Sequence, residues 1–346
     1  MNRRPLAYGV VALLATAFLN VQAAPAAHAA QPIGYPTFTG SAIPAPPVGY
    51  STGDTMQAIY DAESGGTDFW MDRLLARTGN DPAPVLMTRG RGAFMYTHNP
   101  SVIGFGGNAA YWDNISSQNA YAITASPGTF TEQVAQRRQT PSHWRSVHTS
   151  GSIRLEVSKF ITHNNVLVTN LNVVNTGSGS ATVQLQAASP YATSGSGTEL
   201  TGTRAVKNNL TTLYPRFSGD GFAAASGALT RSVTVAAGQS VTTKVQLGFV
   251  TNEIPQSLTE YTTYRGYAPA TAFATHVREY NRWWSQNVPY IDVPEPAIKK
   301  NIYYRWWLMR FNYLDVDIPG QDFQFPQSIE GVTSSKTCPP QTSCQR

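Results

Sequence analysis

Val166-Leu167-Val168-Thr169-Asn170-Leu171-Asn172-Val173-Val174, then Asn175-Thr176-Gly177-Ser178-Gly179, then Thr182-Val183-Gln184-Leu185-Gln186-Ala187 is the stretch whose reading decides the fold. In its second half Val183, Leu185 and Ala187 share one face and Thr182, Gln184 and Gln186 the other. That period of two belongs to a strand with one dry and one wet side. The Asn, Gly and Ser residues between the halves predict a hairpin with a loop of about five residues. A second hairpin is expected from Arg231–Val235 to Val241–Val245 through Ala237-Gly238-Gln239.

Working outward, short apolar or alternating segments recur at Val85–Tyr96, Ile153–Thr162, Ala181–Ala187, Arg231–Ala236 and Val241–Val250, parted by Gly, Asn, Ser and Pro. Regular short strands with turn signals predict a large antiparallel β-sandwich, placed at residues 53–268. Ahead of it, Arg3 and Arg4 precede an apolar run from Leu6 to Val21 that ends at Ala27-His28-Ala29. A basic start, a short apolar core and small residues at a cleavage point predict a signal peptide over 1–29, cleaved after Ala29. The product is then secreted, with no membrane association after cleavage. Residues 30–52, with Pro44, Pro46 and Pro47, read as an extended leader.

Cleavage removes two of the 25 basic residues and none of the 20 acidic ones, taking the formal charge from +5 to +3. Nothing in that balance calls for a nucleic-acid partner. Charged residues make up 13% of the chain and aromatics 11%; aromatic rings with polar tips suit the apolar faces of sugars and suit a sandwich core nearly as well. The only cysteines, Cys338 and Cys344, lie at the far end, so the fold is held by its core.

After residue 268 the period changes. Phe273, Val277, Tyr280 and Trp284 follow Pro269 and predict a linker helix over about 271–286, with an extended linker to Pro294. Glu295 and Pro296 then open a stronger helix on which Ile298, Ile302, Trp306, Met309 and Tyr313 form one apolar stripe. Trp306 is expected in a core. A stripe of that bulk needs a large partner surface, supplied either by the sandwich or by helices beyond it.

The segment Arg305-Trp306-Trp307-Leu308-Met309-Arg310-Phe311-Asn312-Tyr313-Leu314, followed by Ile318 to Gly331, resembles the first barrel helix and following loop of six-hairpin (α/α toroid) glycoside hydrolases, the group with trehalase-like and mannosylglycerate-hydrolase-like enzymes. The resemblance implies a sandwich, a linker helix and the first helix of a truncated toroid over 295–331, with carbohydrate as the partner. It also implies that Asp322, Gln324, Phe325 and Glu330 help to bind substrate at the barrel mouth. Planar amides and carboxylates beside an aromatic ring are the groups a sugar requires; the alternative, a merely exposed loop, stays open. The two carboxylic acids of glycoside hydrolysis fall in such enzymes beyond this segment. No catalytic residue is assigned, and the chain by itself is expected to be inactive.

Other chemistries find no support. Gly104-Phe105-Gly106-Gly107-Asn108-Ala109 matches a dinucleotide fingerprint in form only, because Tyr111-Trp112 stand where a helix should open, and it is read as a loop. No cofactor is expected. His143, His148 and His163 carry no metal-ligand spacing and are read as surface or hairpin residues. Asp315, Asp317 and Asp322 alternate in a way that suits a hard cation, but no metal is expected. Residues 332–346, rich in Thr, Ser, Pro and Gln, read as a disordered tail. The rival from another class is a complete secreted carbohydrate-binding or adhesion module whose terminal helices dock on the sandwich.

Overall fold

The structure, a computed structural model, describes residues 70–79, 87–112, 114–206, 211–289, 291, 293–315 and 327–328. The segments expected to be a signal peptide, a leader and a tail, together with Asp317, Asp322, Gln324, Phe325 and Glu330, lie outside them.

The protein is mainly β, an antiparallel sandwich followed by helices. Its principal strands are β1 (Ala93–Asn99), β2 (Gly104–Tyr111), β3 (Tyr121–Ser126), β4 (Trp144–Ser150), β5 (Ile153–Ile161), β6 (Val166–Asn175), β7 (Ala181–Ala188), β8 (Arg216–Gly219), β9 (Ala228–Val235) and β10 (Ser240–Gly248). One sheet runs β4-β5-β6-β10-β8, flanked by the short strands Arg138–Gln139 and Glu199–Thr201. The other runs β9-β7-β3-β2-β1. Leu167, Leu171, Val245 and Leu247 from the first sheet meet Val183, Leu185, Val233 and Phe105 from the second in one core.

Neither predicted hairpin forms. β6 pairs with β5 and β10, whereas β7 pairs with β9 and β3 in the opposite sheet. The loop after Asn175 therefore arches from one sheet to the other, and the loop from β9 to β10 arches back beside it. Asn175 clasps the two. Its Nδ2 donates to the carbonyls of Gly179 at 2.7 Å and Val235 at 3.0 Å, and its backbone exchanges hydrogen bonds with Gln239 and Gly238 at 3.0 Å each.

The dinucleotide-like run is not a loop either: it is strand β2. Its glycines serve the pairing with β1, which shifts register between Met95 and Thr97. Gly107 has a φ of +110°, and a Cβ there would collide with the Thr97 carbonyl.

Four α-helices are described: α1 (Trp70–Leu75), α2 (Pro255–Gly266), α3 (Pro269–Asn287) and α4 (Pro296–Phe311). The last three each begin on a proline, which needs no hydrogen-bond partner for a missing N–H. Helix α2 falls inside the stretch that the sequence assigns to the sandwich. With α3 it covers the outer face of the first sheet, where Phe160, Val166, Val168 and Val250 pack on Tyr261, Tyr264 and Ala272. This explains why β6 is apolar on both faces.

Helix α4 starts where expected, at Pro296, but ends at Phe311, leaving Tyr313 in a short strand with Leu314, and it has a different buried face. Tyr303 and Trp307 are buried, packing with Tyr280, Trp284, Met71 and Leu75, while Ile298 is 52% exposed, Met309 60% and Tyr313 48%. Trp306 is only partly buried. The predicted stripe thus borders the contact rather than filling it, because the adjacent Trp307 offers an equally large ring one position round the helix.

Candidate functional site

A cavity of about 310 Å3 opens where the edge of the sandwich meets α3 and the end of α4. Its floor is set by the turn from β5 to β6. Asn165 takes a φ of +72° there, a conformation that Asn tolerates better than most side chains. Its Oδ1 accepts from the backbone N–H groups of Gly92 at 2.8 Å and Ala93 at 2.9 Å, and the Arg91 N–H donates to the His163 carbonyl at 2.7 Å. The segment 87–93 is thereby laid along the turn, with Arg89 and Arg91 reaching across to the chain that leaves α4.

Both arginines hold that chain. Arg89 Nη1 donates to the Phe311 carbonyl. Arg91 Nε donates to the Asp315 carbonyl at 3.0 Å and pairs with its Oδ2 at 3.1 Å. The opposite wall is one face of α3, where His276, Glu279, Tyr280 and Trp283 follow one another at three, one and three residues. Arg310 enters from α4 with its guanidinium 3.9 Å from the Tyr280 ring centroid and 4.1 Å from that of Trp283, and Nη1 donates to the Tyr280 carbonyl at 3.1 Å.

Burial governs the charges. It lowers Arg89 to about 9 and Arg310 to about 10, so both stay cationic at neutral pH. His163 falls to about 4 and His276 to about 3, again chiefly through burial, and both are neutral. The His276 Nε2 donates to the Ser142 carbonyl at 2.7 Å, which fixes its tautomer, and the ring stacks on Phe160 at 4.2 Å. Burial also raises Glu279 above the usual carboxylate range. Behind the cavity, Glu260 is raised to about 7 by burial although Thr162 Oγ1 at 2.5 Å and the Asn164 N–H at 2.7 Å donate to it.

Asp315 is committed to Arg91, so of the lining carboxylates Glu279 alone stands outside an ion pair among the described residues. An acid–base pair for hydrolysis needs two. The lining suits binding instead: guanidinium donors, a carboxylate, and ring surface from Trp283 and the half-exposed Tyr313.

Of the residues expected at the site from sequence, Asp322, Gln324, Phe325 and Glu330 lie outside the described residues. Asp315 is described, and its pairing with Arg91 leaves it a poor cation ligand. Among the described residues no group of three or more His, Cys, Asp or Glu side chains could hold a metal ion. His163 lies in the turn from β5 to β6, as expected of a hairpin residue, but His143 and His148 are buried rather than at the surface. His143 Nδ1 lies 2.8 Å from Ser142 Oγ, which donates to Asp72 at 2.5 Å, so these groups bind α1 to the sandwich. Sequence reasoning missed Arg89, Arg310, Glu279 and Trp283; the one available signal was the spacing of polar and aromatic residues along α3.

No family model matches the chain. Among solved structures it is similar to a human-microbiome protein provisionally named a kojibiose phosphorylase, at TM-score 0.45 and 10% identity over 70% of this chain and 40% of that one. It is also similar to the family GH92 α-mannosidase of Bacteroides thetaiotaomicron, at TM-score 0.33 and 11% identity over 72% of this chain and 40% of that one. The chain spans about two fifths of the length of these structures.

Proposed function

We propose that the chain is the sandwich-bearing part of a secreted carbohydrate-active enzyme of the glycoside-hydrolase kind, and that alone it hydrolyses no glycosidic bond. The observation that carries this reading is the outer face of α4. On an aromatic helix that follows a sandwich and a linker helix, Ile298, Leu308 and Met309 are all exposed. Apolar surface of that kind marks an interaction site, and further helices of a toroid are the partners that the order of elements implies. The role of Asp322, Gln324, Phe325 and Glu330 in shaping a sugar pocket belongs to the same proposal.

The purified chain is expected to bind a hydrophobic dye and to self-associate with rising concentration, both reduced in an Ile298→Gln, Met309→Gln variant, and to release no reducing sugar from gluco- or manno-oligosaccharides. A dye-silent monomer at every concentration overturns the missing-partner reading in favour of a complete carbohydrate-binding module. Turnover abolished by Glu330→Gln makes the chain itself an enzyme. N-terminal sequencing of the exported protein is expected to begin at Ala30; a product retaining Arg3 and Arg4 overturns secretion by cleavage.

A further inference from the structure

We infer that the cavity between the sandwich edge and helices α3 and α4 binds the carboxylate of an acidic sugar, with Arg89 and Arg310 as its anion-recognising groups. The sugar part of this inference rests on the carbohydrate reading above; the anionic part rests on the cavity. Among the described residues Arg91 is matched by Asp315, but no carboxylate pairs with Arg89 or with Arg310. Each instead donates to a single backbone carbonyl, of Phe311 and of Tyr280 respectively. The Nε and Nη2 of Arg89 are buried with no hydrogen-bond partner. Desolvated guanidinium groups without a counter-ion are costly, and an incoming carboxylate restores what they lack.

The aromatic surroundings hold the two cations in place. Arg310 is sandwiched against Tyr280 and Trp283, and Arg89 lies 4.3 Å from the Phe94 ring centroid and 5.5 Å from that of Phe311. With His163 and His276 neutral, the lining sums to one net positive charge from Arg89, Arg91 and Arg310 against Glu279 and Asp315. That balance favours a monoanion over a doubly charged phosphate. The volume of about 310 Å3 suits one sugar ring, and Trp283, 36% exposed, offers that ring an apolar face.

The test is titration of the full chain with D-glucuronate, D-glucose, acetate and inorganic phosphate, followed by tryptophan fluorescence and calorimetry. Glucuronate is expected to bind at least about tenfold more tightly than glucose and than acetate, the size of one charge-assisted hydrogen bond. Arg89→Gln and Arg310→Gln are each expected to lower glucuronate affinity about tenfold and to narrow the difference between glucuronate and glucose. Should either variant fail to fold, competition on the unmodified protein decides: acetate is expected to displace glucuronate and acetamide is not. Equal binding of glucose and glucuronate overturns the anionic site and leaves the carbohydrate reading standing. Glucuronate no tighter than acetate overturns the sugar part, and phosphate tighter than glucuronate overturns the choice of a carboxylate. A Tm lowered by Asp317→Asn or Asp322→Asn, with no glucuronate binding in the parent, assigns the guanidinium groups to the chain's own carboxylates and also overturns the proposal.

Discussion

Between the two sheets, buried side chains such as Leu171, Val183, Val245 and Leu247 are enclosed on every side by others from both layers. At the helical end, Tyr303, Trp307, Tyr280 and Trp284 pack against Met71 and Leu75, and the next residues round α4 are already exposed. The first cluster is a closed core made by period-two strands. The second is one-sided and depends on a few large rings. Large rings bury much area per residue, yet a contact with one open flank has fewer neighbours to oppose its release. A single chain thus carries a self-sufficient body and an end that is held more loosely.

The sharpest way to break this contrast is a pair of truncations. Phe217 is fully buried, its ring 5.2 Å from that of Tyr121, and Phe217→Ala is expected to cost about 3–5 kcal/mol in urea denaturation of the whole sandwich. Trp307, stacked on Phe311 at 5.1 Å, is equally well buried. Trp307→Ala is expected instead to free α4, seen as loss of near-UV circular dichroism and faster proteolysis around residues 288–295, with the sandwich midpoint moved by under about 1 kcal/mol. Equal global losses from both would show one cooperative unit.

Asn175→Ala tests how far the sandwich depends on its clasp. It removes two donors to carbonyls and the Oδ1 that accepts from the Gly177 N–H at 2.9 Å. A loss of about 1 kcal/mol is expected, since the Val235 carbonyl keeps only the longer bond from Ser180 Oγ at 3.4 Å; no loss would mean that strand pairing alone fixes the arches.

The smallest effect concerns the seam between the two regions. Glu260 on α2 is raised to about 7 by burial, so the folded state holds its proton more tightly than the unfolded chain does. That contribution is full below about 4.5 and is lost as pH rises through about 7. Glu260→Gln is therefore expected to gain stability relative to the parent as pH climbs across that window. His276 and His163 act with the opposite sign, since their depressed values make stability fall as pH drops below about 6.5. A pH-independent difference between the variant and the parent sinks the assignment.

Strand positions were legible because alternation at Val183, Leu185 and Ala187 records a dry face directly. Strand partners were not, since the loop from Asn175 to Ser180 is long enough for either a hairpin or an arch and only the burial of β6 on both faces decides. Helix α2 escaped notice because its buried positions are Ser257, Tyr261 and Tyr264; Ser257 Oγ bonds to the Ile254 carbonyl at 2.6 Å, and the Tyr261 hydroxyl lies 2.7 Å from Ser218 Oγ, so the helix is seated by polar contacts as well as apolar ones. The cavity was illegible for a different reason. Arg89, His163, Glu279 and Arg310 come from four distant segments, and no spacing in a sequence announces such a meeting.

The paired arches also bear on the order in which the protein is made. Strands β4, β5 and β6 are neighbours in sequence and can zip up as soon as they are synthesised, and β7 can find β3. The central seam must wait, because β7 faces β9 and β6 faces β10, across the whole excursion of residues 189–227. The second sheet presents a raw edge until Val235 has left the ribosome and the first until Gly248 has, and non-local pairing of this kind is slow, in the range of milliseconds to seconds. A nascent chain in that interval is open to wrong partners, so β10, the last of the sandwich's strands to be translated, is also the one that covers the open edge of its first sheet.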